Sequence, residues 1–245
     1  MKILIHIPHS SLELPETFYE GLLIEPLKLE IYNMEHTDLY TDRLFAFDDI
    51  DTITAGYSRL FCDVERFKDD DKEPMSKIGQ GVIYTHLYDG KPFHKHDQSY
   101  QDEVMTYYDL HHQKLDDYVN QCQKNNEELC IIDAHSFSDK LANHFFEGDY
   151  PDIDLGINDD FQHPEILEMT KQVFIEHGYT VAINFPYKGS IVPNEAIKSN
   201  YKGVFSMMIE VNKRTYLNDN QNIDVIKFDK LRSVLNSIKD YIEQF

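Results

Sequence analysis

Three apolar runs end in groups that bind metal or move protons. They are Ile3-Leu4-Ile5-His6-Ile7-Pro8-His9-Ser10, Leu129-Cys130-Ile131-Ile132-Asp133-Ala134-His135-Ser136 and Val204-Phe205-Ser206-Met207-Met208-Ile209-Glu210-Val211. An apolar run of about four to eight residues reads as a buried strand, and open parallel sheets bind ligands beyond the strands' carboxyl ends. Two histidines and a glutamate are therefore expected to converge on one site. Between the first two runs lies Glu35-His36-Thr37-Asp38. Its carboxylate would complete a His9, Asp38, His135 metal site with an open position, which is the donor pattern of zinc hydrolases.

Each of these residues also has a structural reading. His9 follows a strand and a proline, and an isolated histidine there can be a hydrogen-bonded loop residue. Asp133 and His135 are two apart, so on a strand they share a side. The aspartate would then orient the imidazole or itself touch the metal, or else pair with backbone at the strand end. Asp38 with Thr37 could equally begin a helix as its cap. Glu210 ends an otherwise uninterrupted hydrophobic strand, where an ionised carboxylate must be paired or coordinated. It reads either as a salt-bridge partner of Arg59, Arg66 or Arg214, or as a general base that deprotonates water and passes the proton to a leaving amine. The other ten histidines, His6 among them, are too many all to be functional, and most are assigned to structure or to solvent. Asp69-Asp70-Asp71 lacks the ligand spacing of an EF-hand, and there is no GxSxG, P-loop or GxGxxG motif.

The elements that must position these groups alternate between strand and helix. Helical patterns cover residues 100–124, 163–177 and 224–244, with Gly178 capping the second. A helix is expected from residue 37 or 38 to 47, helical pieces over 16–33, and strands at 50–57 and 179–184. Residues 68–81 read as an exposed loop and 137–162 as loop-rich. This predicts an α/β fold with a mixed, mostly parallel sheet flanked by helices. The 245 residues, 41% hydrophobic, can bury a large core and are expected to form one domain, 1–245.

Lys and Arg number 23 against 44 Asp and Glu, a net charge of −21, which opposes nonspecific nucleic-acid binding. An anionic small-molecule substrate would need locally placed cations. Cys62, Cys122 and Cys130 are scattered and odd in number, as expected of reduced core thiols in a cytoplasmic protein. No signal-peptide or transmembrane pattern is recognised.

In order along the chain, Pro8-His9-Ser10, Thr37-Asp38 with Asp42-Arg43-Leu44, Ser58-Arg59 with Asp63-Val64-Glu65-Arg66, Leu87-Tyr88-Asp89-Gly90, Asp133-Ala134-His135-Ser136, Lys188-Gly189 and Ile209-Glu210 with Thr215-Tyr216 resemble the N-formylglutamate amidohydrolase family. The resemblance runs from about residue 3 to about residue 217. It implies a fold similar to the zinc carboxypeptidases, one Zn²⁺ or other divalent ion on His9, Asp38 and His135, and Glu210 as catalytic carboxylate. It further implies that Arg59 and Arg66 hold substrate carboxylates or polarise the scissile carbonyl. The reaction implied is hydrolysis of N-formyl-L-glutamate to formate and glutamate, a late step of histidine degradation. The chain departs from the family pattern at Glu65, usually Asn, at Pro193-Asn194, where Thr-Arg is common, and at Asn212-Lys213-Arg214, a more basic stretch. A missing arginine removes a bidentate carboxylate clamp, a place Lys188 or Arg214 would fill. The competing readings are a carboxypeptidase-like or broader N-acyl amino-acid amidase, and a catalytically silent binding protein of the same fold.

Overall fold

The structure, a computed structural model, describes residues 1–199 and 201–245. In chain order the elements begin with β1 (Lys2–Ile7), α1 (Glu16–Glu20), α2 (Pro26–His36), α3 (Thr41–Leu44), β2 (Asp51–Thr54) and α4 (Gln98–Asn125). They continue with β3 (Leu129–Phe137), α5 (Asp139–Ala142), β4 (Ile153–Ile157), α6 (Pro164–Glu176), β5 (Val181–Ile183), α7 (Asn194–Ser199), β6 (Val204–Asn212) and α8 (Val225–Ile242). The six strands form one sheet in the order β2-β1-β3-β6-β4-β5. β3 runs parallel to β1 and β6, and β4 runs antiparallel to β6 but parallel to β5. This is the mixed, mostly parallel α/β sheet expected from the sequence. β3 is buried at all nine positions, as a near-continuous apolar strand covered on both faces must be.

Register decides which side chains meet. His6 lies opposite Asp133, His135 opposite Glu210, and Glu210 opposite Asp154. Residues paired across strands, or two apart along one, share a face of the sheet. His6, Asp133, His135, Glu210 and Asp154 therefore occupy one face, an accumulation of polar groups inside a buried sheet.

The helices start and stop where local chemistry dictates. Pro164 opens α6 behind His163, whose ring accepts from the Ile166 N–H, and Gly178 follows the helix at φ 85°, a left-handed conformation that favours glycine. Asp224 caps α8, which buries Phe228, Leu231, Leu235, Ile238 and Ile242 at helical spacing. No helix among the described residues is long and apolar enough to cross a membrane.

Packing groups the chain into two compact units that interleave in sequence. Unit 1 holds Met1–Ile7, Tyr40–Ile53 and Leu115–Phe245, and unit 2 holds Pro8–Leu39 and Thr54–Lys114. A core of unit 1 gathers Leu4, Leu115, Val119, Leu129, Ile131 and Val204. The core of unit 2 gathers Phe18, Leu60, Phe61, Val64, Phe93 and Val104. All three cysteines are free thiols and buried.

The structure departs from the sequence reading in four places. The helix expected up to residue 47 shrinks to Thr41–Leu44, and a short helix, Asn194–Ser199, was not foreseen. The polar loop 68–81 contains a 3-10 turn, Pro74–Ile78, capped by the buried Glu73. The fourth difference matters most: β4 lies inside the segment read as loop. Its sequence, Ile-Asp-Leu-Gly-Ile, carries two residue types depleted in strands. Gly156 is required by a close approach, because a Cβ there would lie 2.1 Å from the Gly189 carbonyl oxygen and 2.4 Å from the Met208 Cε. Gly156→Ala is therefore expected to cost about 1–3 kcal/mol by overpacking. Urea unfolding indistinguishable from wild type would show that the backbone at Gly189 has room to move away.

Candidate metal centre

Unit 2 supplies His9 and Asp38. Thr37 ends α2, its N–H and hydroxyl both donating to the Asn33 carbonyl, and the next residue, Asp38, donates its N–H to the His9 carbonyl at 2.9 Å. This displaces the cap reading of Asp38, since α3 begins behind Tyr40 with no side-chain cap. Both residues are buried, and His9 Nδ1 lies 3.7 Å from an Asp38 carboxylate oxygen. The opposite edge of the His9 ring is held by Asp63, with Nε2 and Oδ1 2.8 Å apart.

Asp63 is the hub of this half. It is fully buried and accepts from Arg59 Nη2 at 2.8 Å, Tyr84 Oη at 2.8 Å and the Glu65 N–H at 3.1 Å, with Arg66 Nε at 3.2 Å. Burial alone would raise the carboxyl, but the guanidiniums of Arg59 and Arg66 and the His9 ring overcome it and hold it well below the usual carboxylate range. An ionised carboxylate only accepts, so Asp63 fixes the His9 proton on Nε2 and directs the Nδ1 lone pair to the side of Asp38.

Unit 1 repeats the device. His135 Nε2 is 3.1 Å from Asp133 Oδ1, and His6 Nδ1 is 2.8 Å from the same oxygen. The other Asp133 oxygen accepts from the Ile191 N–H at 2.9 Å. Burial pushes the Asp133 carboxyl up, and the neighbouring His135 and His6 more than reverse this, so it is held far below its ordinary value. Asp133 thus does two of the three things the sequence left open: it orients the His135 ring and it binds backbone. By the same logic it fixes the His135 proton on Nε2 and leaves Nδ1 as donor atom. Glu210, 7% exposed, stands beside His135 on the neighbouring strand. β1 and β3 are parallel, and His9 follows the end of β1 by two residues. His135 itself lies in β3, two residues before its carboxyl end.

The cations fall into two groups. Arg59 and Arg66 converge on Asp63, and Arg66 also donates to the Tyr84 hydroxyl. Arg214 binds Asp139 at 2.8 Å, Asp152 at 3.1 Å and the Tyr150 carbonyl, tying the end of β6 to the approach to β4. Lys188 is exposed and has no ion-pair partner among the described residues. Of the departures from the family pattern, Glu65 is half-buried and gives its N–H to Asp63, while Asn194 is exposed and begins α7. Sequence reasoning missed Asp63 as the anchor of His9, His6 as the second histidine on Asp133, and Asp154. The signal for Asp63 was there: an aspartate between Cys62 and Val64, with arginines four residues before and three after.

The fold has solved relatives. The crystal structure of N-formylglutamate amidohydrolase from Ralstonia eutropha JMP134 superposes with a TM-score of 0.80 at 20% identity, covering 99% of this chain and 94% of that one. A gene product of Agrobacterium tumefaciens superposes with a TM-score of 0.67 at 15% identity, covering 99% and 92%. No curated protein matches the sequence. The model of the N-formylglutamate amidohydrolase family matches residues 1–217, and the chain belongs to that family.

Proposed function

We propose that this protein is a metal-dependent amidohydrolase that converts N-formyl-L-glutamate to formate and L-glutamate. The observation that carries this reading is the matched pair of anchored histidines. His9 and His135 each have Nε2 bound to a buried, ionised aspartate, the second-shell arrangement that orients imidazole ligands. Asp38 is the third donor in this reading, and two ring nitrogens with one carboxylate oxygen would suit Zn²⁺ or another divalent ion and would leave a position for water or substrate. Such an ion polarises an amide carbonyl and lowers the pKa of water toward roughly 7.

The chain's own residues do the rest. Glu210 takes a proton from the attacking water as the C–O bond forms, then returns it to the amine nitrogen as the C–N bond breaks. Arg59 and Arg66, positioned by Asp63, have N–H groups beyond those given to it and hold a substrate carboxylate or the carbonyl oxygen. Lys188 is the cation for the side-chain carboxylate, with Arg214 the alternative. Three free, buried thiols and this reaction fit a cytoplasmic enzyme of histidine degradation.

The test combines metal analysis with two substrates. The purified protein is expected to contain one divalent ion, to lose activity with a chelator and to regain it with zinc. A protein equally active after complete metal removal would defeat the metal reading. N-formyl-glutamate should be preferred over N-formyl-glutamine by about 10- to 100-fold in kcat/KM, the worth of one charge-assisted contact. Equal efficiency on both would make this a broader N-acyl amino-acid hydrolase.

A further inference from the structure

β4 ends beside a turn that it holds by an unusual means. Asp154, fully buried, accepts the N–H of Phe185 on one carboxylate oxygen and the N–H of Tyr187 on the other, both at 2.9 Å. Pro186 between them has no N–H, so Asp154 takes both backbone donors of this stretch. Burial pushes its carboxyl up to about 6 even though the two amides pull it down. A carboxylate in such a place costs stability that apolar packing would not.

The rest of the turn is fastened in the same manner. Asn184, itself at φ 56°, accepts the N–H of Gly189 at 3.1 Å and that of Ile157 at 2.9 Å. Asn158 donates to the Ser190 carbonyl at 2.8 Å, and the bare Cα of Gly156 lets the Gly189 carbonyl lie against the sheet. Ile191 then gives its N–H to Asp133, the anchor of His135. Residues 184–191 are therefore held at several points, by Asp154 of β4, by Asn158 just beyond it, by Asp133 of β3 and by their own Asn184. The exposed side chain in this fastened segment is Lys188. Of the four cations that the sequence offers to the substrate, it is the one without an ion-pair partner among the described residues, whereas Arg59, Arg66 and Arg214 already answer carboxylates of the protein.

We propose that Asp154 is a positioning residue, which holds the backbone of residues 185–189 and so sets Lys188 to receive the side-chain carboxylate of the substrate. This rests on the hydrolase reading above and extends it to the source of its selectivity. Asp154 touches no reacting atom. It acts through the turn.

The experiment uses Asp154→Asn, Lys188→Gln and the double variant in the intact protein. Hydrogen–deuterium exchange of the peptide spanning residues 185–189 reads the turn, and kcat and KM on N-formyl-glutamate and N-formyl-glutamine read its use. Asp154→Asn is expected to speed exchange at Phe185 and Tyr187. It should raise KM for the glutamate by about tenfold or more with far smaller changes in kcat, in bound metal and in KM for the glutamine. Because both changes act on one contact, the double variant should have the KM of Lys188→Gln alone. Unaltered exchange, equal losses on both substrates, or additive effects in the double variant would each overturn the proposal. If Asp154→Asn does not fold, Asn184→Ala removes the neighbouring hold on Gly189 and must give the same selective rise in KM. A wild-type protein inactive on every N-acyl amino acid would defeat the hydrolase reading, and the role of Lys188 with it; the exchange measurement would still decide whether Asp154 holds the turn.

Discussion

Glu210→Gln is expected to lower kcat by about 10²- to 10⁴-fold with fold and bound metal intact, the usual contribution of a general acid–base group. Glutamine keeps the shape and one acceptor oxygen but cannot take a proton. Glu210 is buried in β6, in register between His135 and Asp154, so the substitution sits beside a proposed ligand without replacing one. The structural reading makes a different prediction. If Glu210 served as one half of a buried ion pair, the amide would leave its partner uncompensated and cost about 3–5 kcal/mol. Activity would then follow stability. The three arginines that the sequence offered as partners are held by Asp63, Asp139 and Asp152. Turnover, urea unfolding and elemental analysis on one preparation separate the two. Unchanged turnover would return Glu210 to the scaffold.

What the sequence showed and what it hid follow from one physical difference. β1, β3 and β6 carry long apolar runs, so the polar groups closing them stood out, and His9, His135 and Glu210 could be expected to converge from pattern alone, while the register that sets His135 opposite Glu210 belongs to the folded sheet. β4 was invisible because the residues that give it a task, Asp154 and Gly156, are those that weaken a strand signal. Likewise, 58–66 holds four apolar residues between its two arginines and shows no more than that in sequence. Only the folded chain shows that both point at Asp63, because the turn that brings positions 59 and 66 around one carboxylate has no period to read. The anchors of the histidines were half legible. Asp133 is two residues from His135 on a strand, so periodicity reveals it, while Asp63 is 54 residues from His9 and no spacing rule connects them.

Asp63→Asn is expected to be the most damaging conservative substitution in unit 2. It leaves Arg59 and Arg66, whose side chains are only 16% and 21% exposed, without the carboxylate both bind, a change that costs about 3–5 kcal/mol when a buried pair loses one member. It also removes the group that fixes the His9 proton on Nε2. The amide can present an NH₂ where the ring needs an acceptor, and metal affinity should fall by about 10- to 100-fold, as for other second-shell changes. The dependence on pH has a definite sign. The folded-state pKa of Asp63 is depressed, so its contribution is complete above the unfolded value, about 3.9, and is lost as pH falls through the lower folded one. Asparagine has no such titration. The stability gap between wild type and variant should thus be constant near neutrality and begin to close below about pH 4. Urea unfolding at pH 7 and at successively lower pH, with zinc affinity measured by competition at pH 7, checks both halves. A variant as stable as wild type at pH 7 would mean that the arginines find other partners, and undiminished zinc affinity would mean that His9 needs no anchor.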